Sequence, residues 1–303
     1  MSTDLAFPDG DSHPEDGDAI LPAHCRGLPI RSAPKPPVSL LVCDLDGTLL
    51  GDDRRLSAEI RAAVAELRDK GILVSLATGR FFQSARQFAS ELDLDIPIVC
   101  ANGAQVRCPI TGAYLHRLTL PAEICRTVLR KMASERCQPF LFAGDRALTD
   151  RDSVFRRRYA ASLRVPIEVR DLDEFLTARE EVDILLFYVP DGLEEVARTI
   201  EGDFSERVYV TTSAGYFVEC LHPAAGKGSG VIALMKMLGI PAQQVAAVGD
   251  GPNDLEMLRV VHKAVLLGNA PPWLKKTGFT TTQRGGPAGF LEAMALLGLR
   301  VKS

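Results

Sequence analysis

The chain has 303 residues, of which 46% are hydrophobic and 24% are charged, and its formal net charge at pH 7 is -4. This length can bury a sizeable core and favours about two domains. Proteins that bind polyanions usually carry a basic surplus on one face, so the acidic balance predicts no nucleic-acid partner.

The cysteines and the apolar segments indicate the compartment. The seven cysteines include no Cys-x-x-Cys pair, which favours a reducing environment over a disulfide framework. No apolar run approaches the ~18 residues that cross a bilayer, so we expect no membrane partner. The first 20 residues are acidic and lack the basic start of a signal peptide. These features predict a cytoplasmic protein.

Residues 1–37 differ from the rest of the chain. They contain seven of the 19 prolines and no periodic apolar pattern. Such a segment cannot recover its ordering entropy by burial, so we predict a disordered tail. The ordinary explanation is a plain extension or a misplaced start codon, and a docking role is the alternative.

From residue 38 onward, predicted strands and helices alternate. The apolar run 40–43 is typical of a strand that is buried on both faces. A helix follows, with Ser57 as its N-cap and Gly71 as its C-terminal stop. Further strands are predicted at 72–77 and 98–100, with a helix over 81–92 between them. This alternation with short links is typical of a parallel α/β sheet.

The middle of the chain, residues 105–221, is richer in strands and predicts a separate α+β module with an antiparallel sheet. Its predicted strands are 114–118, 140–143, 184–189, 208–212 and 216–220, and its clearest helices are 124–132 and 193–200. The parallel pattern then returns with helices 229–238, 253–258 and 289–297 and strands 245–248 and 264–267. One α/β domain interrupted by another is the simplest arrangement.

The first predicted strand ends in Asp44-Leu45-Asp46-Gly47-Thr48. Side chains two apart in an extended chain point the same way, and open α/β sheets bind ligands at this end of their strands. Adjacent carboxylates repel unless a cation or a shared proton relieves them, and magnesium prefers oxygen ligands and would also attract phosphate. The alternatives are a plain Asp-Gly turn and a calcium loop, although the glycine comes too early for the calcium pattern.

Three further polar clusters accompany predicted strand ends or helix starts. Thr78 and Gly79 offer a hydroxyl and an amide to an anion at a helix entrance. Lys227 lies among glycines before a helix, in a segment that does not match the nucleotide P-loop. Asp250 and Asp254 are four residues apart at a helix start, which places their Cβ atoms about 5–6 Å apart.

Each cluster alone has an ordinary structural explanation, namely a capping turn, a solvated loop lysine, or acids that favour a helix N-terminus. Their order along the chain is more specific. It resembles the haloacid dehalogenase-type phosphatases, and most of all the Cof-type branch. That family shows D-x-D-G-T, Thr-Gly-Arg after the next strand, a late lysine and G-D-x-x-N-D. The matching residues are Asp44, Asp46, Thr78, Lys227, Asp250, Asn253 and Asp254, and the segments 102–104 and 268–270 also match the branch.

The resemblance covers residue 38 to the end and implies a fold. It implies an α/β protein with a Rossmann-like parallel-sheet core domain, formed by residues 38–104 and 222–303. Residues 105–221 would form an inserted α+β cap domain that selects the substrate. One departure occurs near the lysine. Glu219 keeps the family spacing to Lys227, but His222 stands where a proline is expected and Gly226 replaces the usual Asn or Ser.

The resemblance also implies roles. Asp44 would be the nucleophile, and Asp46 would donate and then accept a proton. Thr78, Gly79, Lys227 and Asn253 would bind the phosphate. The metal-site residues are Asp44, Asp46, Asp250 and Asp254, with Asp46 acting through its backbone carbonyl and Asp254 holding the lysine or metal-bound waters.

The predicted function is a magnesium-dependent phosphatase that hydrolyses small phosphate monoesters, either sugar phosphates or phosphorylated cofactors, through an aspartyl-phosphate. The partner would be a small phosphorylated metabolite. A phosphomutase or phosphotransferase on the same scaffold and a catalytically silent metabolite-binding protein are the alternatives. Arg146 and residues 156–158 would either line the cleft or form a solvated helix face.

Overall fold

The computed structural model describes residues 38–133, 137–178, 181–299 and 301, so the tail predicted at 1–37 lies outside the described residues. In chain order the strands there are β1 (Leu40–Cys43), β2 (Leu73–Leu76), β3 (Ile98–Cys100), β4 (Gln105–Arg107), β5 (Tyr114–Arg117), β6 (Leu120–Pro121), β7 (Gln138–Ala143), β8 (Arg146–Thr149), β9 (Glu168–Val169), β10 (Glu181–Val182), β11 (Ile184–Tyr188), β12 (Tyr209–Ser213), β13 (Phe217–Leu221), β14 (Val245–Gly249), β15 (Lys263–Leu266) and β16 (Thr280–Thr281). The helices are α1 (Ala58–Asp69), α2 (Phe82–Glu91), α3 (Ala122–Lys131), α4 (Val154–Leu163), α5 (Leu172–Thr177), α6 (Leu193–Phe204), α7 (Lys227–Leu238), α8 (Leu255–Val260), α9 (Pro272–Lys275) and α10 (Gly286–Leu296).

The central sheet is parallel and has the strand order β16-β15-β14-β1-β2. All four residues of β1 are buried, as the apolar run predicted. Parallel strands buried on both faces need crossover helices, and α1 is one of them. The α/β fold with a parallel core sheet is therefore confirmed.

Helix α1 shows how local sequence sets an element. Ser57 caps its first turn, with Oγ accepting a hydrogen bond from the amide of Ile60 at 3.3 Å. Gly71 follows the last turn with φ +80°, a conformation that glycine adopts without Cβ strain. The helix then buries Ile60, Val64 and Leu67 against the sheet.

Strand β3 lies where it was predicted but pairs differently. It forms an antiparallel three-stranded sheet with β4 and β5, and one parallel bridge, from Val99 to Ala77, joins it to the end of β2. A short 3₁₀ turn over Ala101–Gly103 reverses the chain, and a link of this length permits only antiparallel pairing. The domain boundary predicted at 104/105 therefore crosses this small sheet.

The second large sheet has the order β12-β13-β11-β7-β8-β9, and its pairs are antiparallel except β8 with β9. Residues along its strands alternate between two clusters. On one face, Leu141 and Leu185 pack with α3, α5 and α6. On the other face, Phe140, Leu186 and Phe217 pack with α4 and with Phe81, which immediately precedes α2. One face of this sheet is thus directed at the parallel-sheet unit. None of the helices in the described part of the chain combines the length and apolar character that crossing a membrane requires.

Candidate active site

The ends of three neighbouring strands bring the polar clusters together. Cys43 pairs in register with Leu76 and Val248, so the residues after these positions lie at the same edge of the sheet. The amide of Asp44 donates to the carbonyl of Val248 at 2.9 Å and extends this alignment. Asp44, Thr78 and Asp250 therefore meet where open α/β sheets bind ligands.

Lys227 is the first residue of α7 and is only 2% exposed. Its Nζ donates to Asp44 Oδ1 at 2.5 Å and to Asp254 Oδ1 at 2.6 Å. Burial alone would lower the pKa of Lys227, but the two carboxylates outweigh burial and hold the pKa above its ordinary value. The lysine is therefore a charged group inside the protein, and it lies behind Asp44 instead of on the cavity wall.

Asp254 and Asp250 are held by separate hydrogen bonds. Asp254 Oδ2 accepts the backbone amides of Asp250 and Gly251, both at 2.8 Å, which closes the turn after β14. Asp250 Oδ1 accepts from the Thr48 hydroxyl at 2.9 Å, and Oδ2 accepts from Asn269 Nδ2 at 2.8 Å. Burial, and then the charge of Asp254, raises the pKa of Asp250 to about 7.

The carboxylate cluster, which we define as Asp44, Asp250 and Asp254 with Lys227, fits a divalent cation. Each aspartate offers one oxygen, and these oxygens lie within 4.8 Å of one another. When all three aspartates are ionised, the three carboxylates and one ammonium leave two negative charges in excess, the charge that one divalent ion offsets. Burial raises the pKa of Asp44 well above its ordinary range, against the lowering effect of Lys227. Buried oxygen ligands with excess negative charge suit a hard cation.

The carboxylate of Asp46 lies outside this cluster and binds Arg80. Arg80 Nε donates to Asp46 Oδ2 at 2.6 Å, and Nη2 donates to Oδ1 at 2.7 Å. The third nitrogen, Nη1, donates to the Ser84 hydroxyl and to the carbonyl of Ser162 in α4. Sequence reasoning included Arg80 only as the last letter of Thr-Gly-Arg and missed this contact. The metal role of the Asp46 carbonyl stays a prediction.

Thr78 and Gly79 line the cavity beside Asp44. Thr78 Oγ1 accepts the amide of Arg80 at 3.1 Å, which leaves its hydroxyl hydrogen for an oxygen in the cavity. This arrangement can hold an anion, as the motif predicted, although phosphate binding by these residues stays a prediction.

A chain of polar side chains runs from the cavity to the second sheet. Asn253 Nδ2 donates to Asn102 Oδ1 at 2.9 Å, and Asn102 Nδ2 donates to Glu219 Oε2 at 2.7 Å. Ser213 Oγ donates to Glu219 Oε1 at 2.5 Å. Burial raises the pKa of Glu219 to about 7. The sequence had flagged Asn102 and Glu219 as motif matches without assigning this connection.

Gly226 departs from the family pattern for a steric reason. A Cβ at this position would lie 2.0 Å from Glu256 Oε2, so Asn or Ser would require Glu256 to move. Glu256 is in turn fixed by the Tyr209 hydroxyl, which donates to Oε1 at 2.9 Å. The glycine thus accommodates a neighbour, and α7 still begins at Lys227.

The basic residues proposed for the cleft point elsewhere. Arg146 pairs with Glu168 at 2.6 Å, and Arg156 pairs with Asp152 at 2.7 Å. Arg157 also pairs with Asp152. These arginines and the exposed Arg158 do not line the cavity. The solvated-face interpretation therefore fits the α4 arginines better.

Known proteins resemble this chain over most of its length. The family model of haloacid dehalogenase-like hydrolases matches residues 41–285. A candidate phosphatase, YxeH, from Bacillus subtilis is 29% identical over 84% of this chain and 96% of its own length. An HMP-PP phosphatase from Escherichia fergusonii is 28% identical over 78% of this chain and 86% of its own length.

A solved haloacid dehalogenase-like hydrolase from Bacteroides thetaiotaomicron shares the fold. It has a TM-score of 0.74 and 24% identity, and the match covers 86% of this chain and 99% of that one. The family match spans most of the chain, and together with the phosphatase relatives it confirms the predicted enzyme class. The chain belongs to the haloacid dehalogenase-like hydrolase family.

Proposed function

We propose that this protein is a magnesium-dependent phosphatase that hydrolyses small phosphate monoesters, sugar phosphates or phosphorylated cofactors, through an aspartyl-phosphate on Asp44. The observation that carries the proposal is the position of Asp44. It lines the cavity, one of its oxygens binds Lys227, and the carboxylates of Asp250 and Asp254 lie beside it. The other oxygen is then free to attack phosphorus.

Magnesium would be held by the side chains of Asp44 and Asp250 and by the backbone carbonyl of Asp46. When bound, it supplies positive charge that offsets the charges of the phosphate and of the cluster. Asp254, whose oxygens bind Lys227 and the turn amides, would keep the lysine in place.

The protein residues divide the two chemical steps. In the first step Asp44 attacks phosphorus, the bond to the leaving oxygen breaks, and Asp46 protonates that oxygen. In the second step Asp46 takes a proton from water, which attacks the phosphoryl group and frees both phosphate and Asp44. Thr78 and Gly79 would hold phosphoryl oxygens through both steps, with Asn253 as a further donor.

The contact with Arg80 bears on the second step. The guanidinium donates to both oxygens of Asp46 and so fixes the orientation of the carboxylate that accepts a proton from water. Because Arg80 also donates to Ser162, the pose of Asp46 depends on where α4 lies. We therefore propose residues 105–221 as a cap domain whose position affects the acid and base.

Two similar proteins support a small phosphorylated substrate. One relative is named for the phosphatase reaction on HMP-PP, and a structural neighbour with a TM-score of 0.73 is described as a sugar phosphatase. The cavity, of about 430 Å³, has the size of a small-molecule site.

The test is Asp44→Asn, assayed by phosphate release from a panel of monoesters with magnesium and with chelator. We expect wild-type turnover to require the metal and to return when magnesium is restored. Turnover should be lost in the variant without loss of the folded state, because the neutral amide is a poor nucleophile. Asp52→Asn is the matched control, since Asp52 is exposed and lines the same cavity.

Mass spectrometry of the acid-quenched enzyme gives an independent measurement. A phosphoryl group should appear on the peptide that contains Asp44 during turnover. A folded, metal-loaded protein that hydrolyses substrate but never carries this group would contradict the proposed mechanism.

A further inference from the structure

Three aromatic residues line the cavity on the side of the second sheet. They are Tyr159 of α4, Tyr216, and Phe217 at the start of β13, and we call them the aromatic wall. The ring centroids of Tyr159 and Phe217 are 4.9 Å apart, and those of Tyr216 and Phe217 are 4.7 Å apart. The wall is therefore one continuous surface inside the same cavity as Asp44.

The wall is held from behind by further rings. The centroid of Phe155 lies 5.7 Å from Tyr159, 6.0 Å from Tyr216 and 5.9 Å from Phe217. Phe155 also stacks on Tyr188 at 3.4 Å with an interplanar angle of 10°. Neither Phe155 nor Tyr188 lines the cavity. Packing of this kind fixes the orientation of the wall rings before a ligand binds. Binding therefore costs little side-chain entropy.

Several polar groups near the wall already have partners. Ser213 and Asn102 donate to the two oxygens of Glu219, and the Tyr216 hydroxyl accepts from Arg54 Nη2 at 3.1 Å. The remaining side chains on this side include the buried Leu163 and Leu186. A substrate rich in hydroxyls would lose water here and, apart from the Tyr159 and Tyr216 hydroxyls, would meet few groups able to hydrogen-bond in return, which is unfavourable.

From these contacts we infer that the leaving group of the substrate is a planar aromatic ring that packs on the aromatic wall while its phosphate lies at Asp44. This inference rests on the proposed phosphatase function and narrows its substrate class. Aromatic rings gain from edge-to-face and offset stacking at centroid distances of about 4.5–7 Å, the spacing that the wall rings already have among themselves.

A different explanation is that the wall is only the hydrophobic core of the second sheet. In that case a flat ring and a puckered ring of similar size would serve equally well as leaving groups. The two explanations therefore predict different ratios of kcat/KM for a flat-ring substrate and a puckered-ring substrate.

The experiment compares benzyl phosphate with cyclohexylmethyl phosphate. Both release a primary alcohol that carries a six-membered ring, but only the benzyl group is planar and aromatic. We expect kcat/KM for benzyl phosphate to exceed that for cyclohexylmethyl phosphate by about tenfold, the value of roughly one stacking contact. A hexose 6-phosphate should be a poorer substrate than either.

Variants then locate the effect. Tyr216→Leu and Phe217→Leu should each reduce the benzyl preference toward one, whereas Tyr216→Phe, which keeps the ring, should retain it. Tyr114→Leu is the control, because Tyr114 is an exposed ring that does not line the cavity. The ratio is measured within one preparation, so partial unfolding of the Phe217 variant does not affect it.

Each outcome decides between the explanations. Equal kcat/KM values for the two ring substrates, or a preference for the hexose phosphate, would overturn the inference and leave the phosphatase proposal standing. An equal loss of preference in Tyr114→Leu and Tyr216→Leu would also overturn it. If the protein hydrolyses none of the three phosphates and none of the monoesters in the panel, both proposals are overturned.

Discussion

The carboxylate cluster and the aromatic wall bound the same cavity but are built in different ways. The cluster consists of charged side chains placed directly after strands or at the start of a helix, and each belongs to a recognisable sequence motif. The wall consists of rings from α4, from the turn before β13 and from the first residue of β13, and no motif marks them. The chemistry thus depends on local sequence at strand ends, whereas the proposed selectivity depends on packing between distant segments.

This difference can be tested by substitution. Changes in the residues that act on the phosphate should lower the turnover of every substrate. Changes in the wall should alter only the preference among leaving groups. Among the charged and polar residues, the expected effect of substitution decreases in the order Asp46, Lys227 and Glu219.

Asp46→Asn should have the largest effect. Loss of the acid and base should lower kcat about 10²–10⁴-fold for an alkyl ester such as benzyl phosphate. The loss of kcat/KM, which reports the first step, should be smaller for p-nitrophenyl phosphate, because p-nitrophenolate leaves without a proton. Steady-state kinetics on both esters check this. Equal losses of kcat/KM on the two esters would contradict the role of Asp46 as the acid, and would instead suggest that the variant disturbs the site through Arg80.

Lys227→Met should lower the free energy of unfolding by about 3–5 kcal/mol, because it leaves buried carboxylates without their cation. Denaturant titration in metal-free buffer measures the change, and saturating magnesium should recover part of it by binding the native state. Lys236→Met, on the exposed side of α7, should remain within about 0.5 kcal/mol of wild type. A stability loss that magnesium does not reduce would argue against a shared cation site.

Glu219→Gln should change how stability depends on pH. Burial raises the pKa of Glu219 in the folded protein from 4.5 to about 7, so the native state binds more protons than the unfolded state in that range. Its contribution is therefore fully present below about pH 4.5 and is lost as pH rises through 7.

The measurement is the free energy of unfolding of wild type and variant at pH 5 and pH 8. Wild type should lose roughly 3 kcal/mol relative to Glu219→Gln between these values. The exposed Glu201→Gln should follow wild type. Parallel pH profiles for wild type and Glu219→Gln would show that this carboxyl does not titrate in the predicted range, and that the cavity side of the second sheet is more solvated than its contacts indicate.

The sequence by itself determined the parallel α/β core, the order of its elements and the residues at the strand ends. These features follow from local rules. A run such as 40–43 is apolar enough for burial on both faces, Ser57 and Gly71 set the limits of α1, and a polar motif after a parallel strand must lie at the ligand-binding edge. The middle segment was predicted as antiparallel, but α4, whose residue Tyr159 lines the cavity, was not defined as an element.

Only the tertiary structure decided which side chains meet across the cavity. The Asp46 carboxylate binds Arg80, and Asn102 binds Glu219, a residue 117 positions away. The wall joins Tyr159 to Phe217 through the packing of α4 on the second sheet. Each contact joins segments that are distant in the chain, and the pair Asn102 and Glu219 also depends on how the two sheets face each other. No local pattern contains that information, because hydrophobic periodicity shows which face is buried but not what covers it.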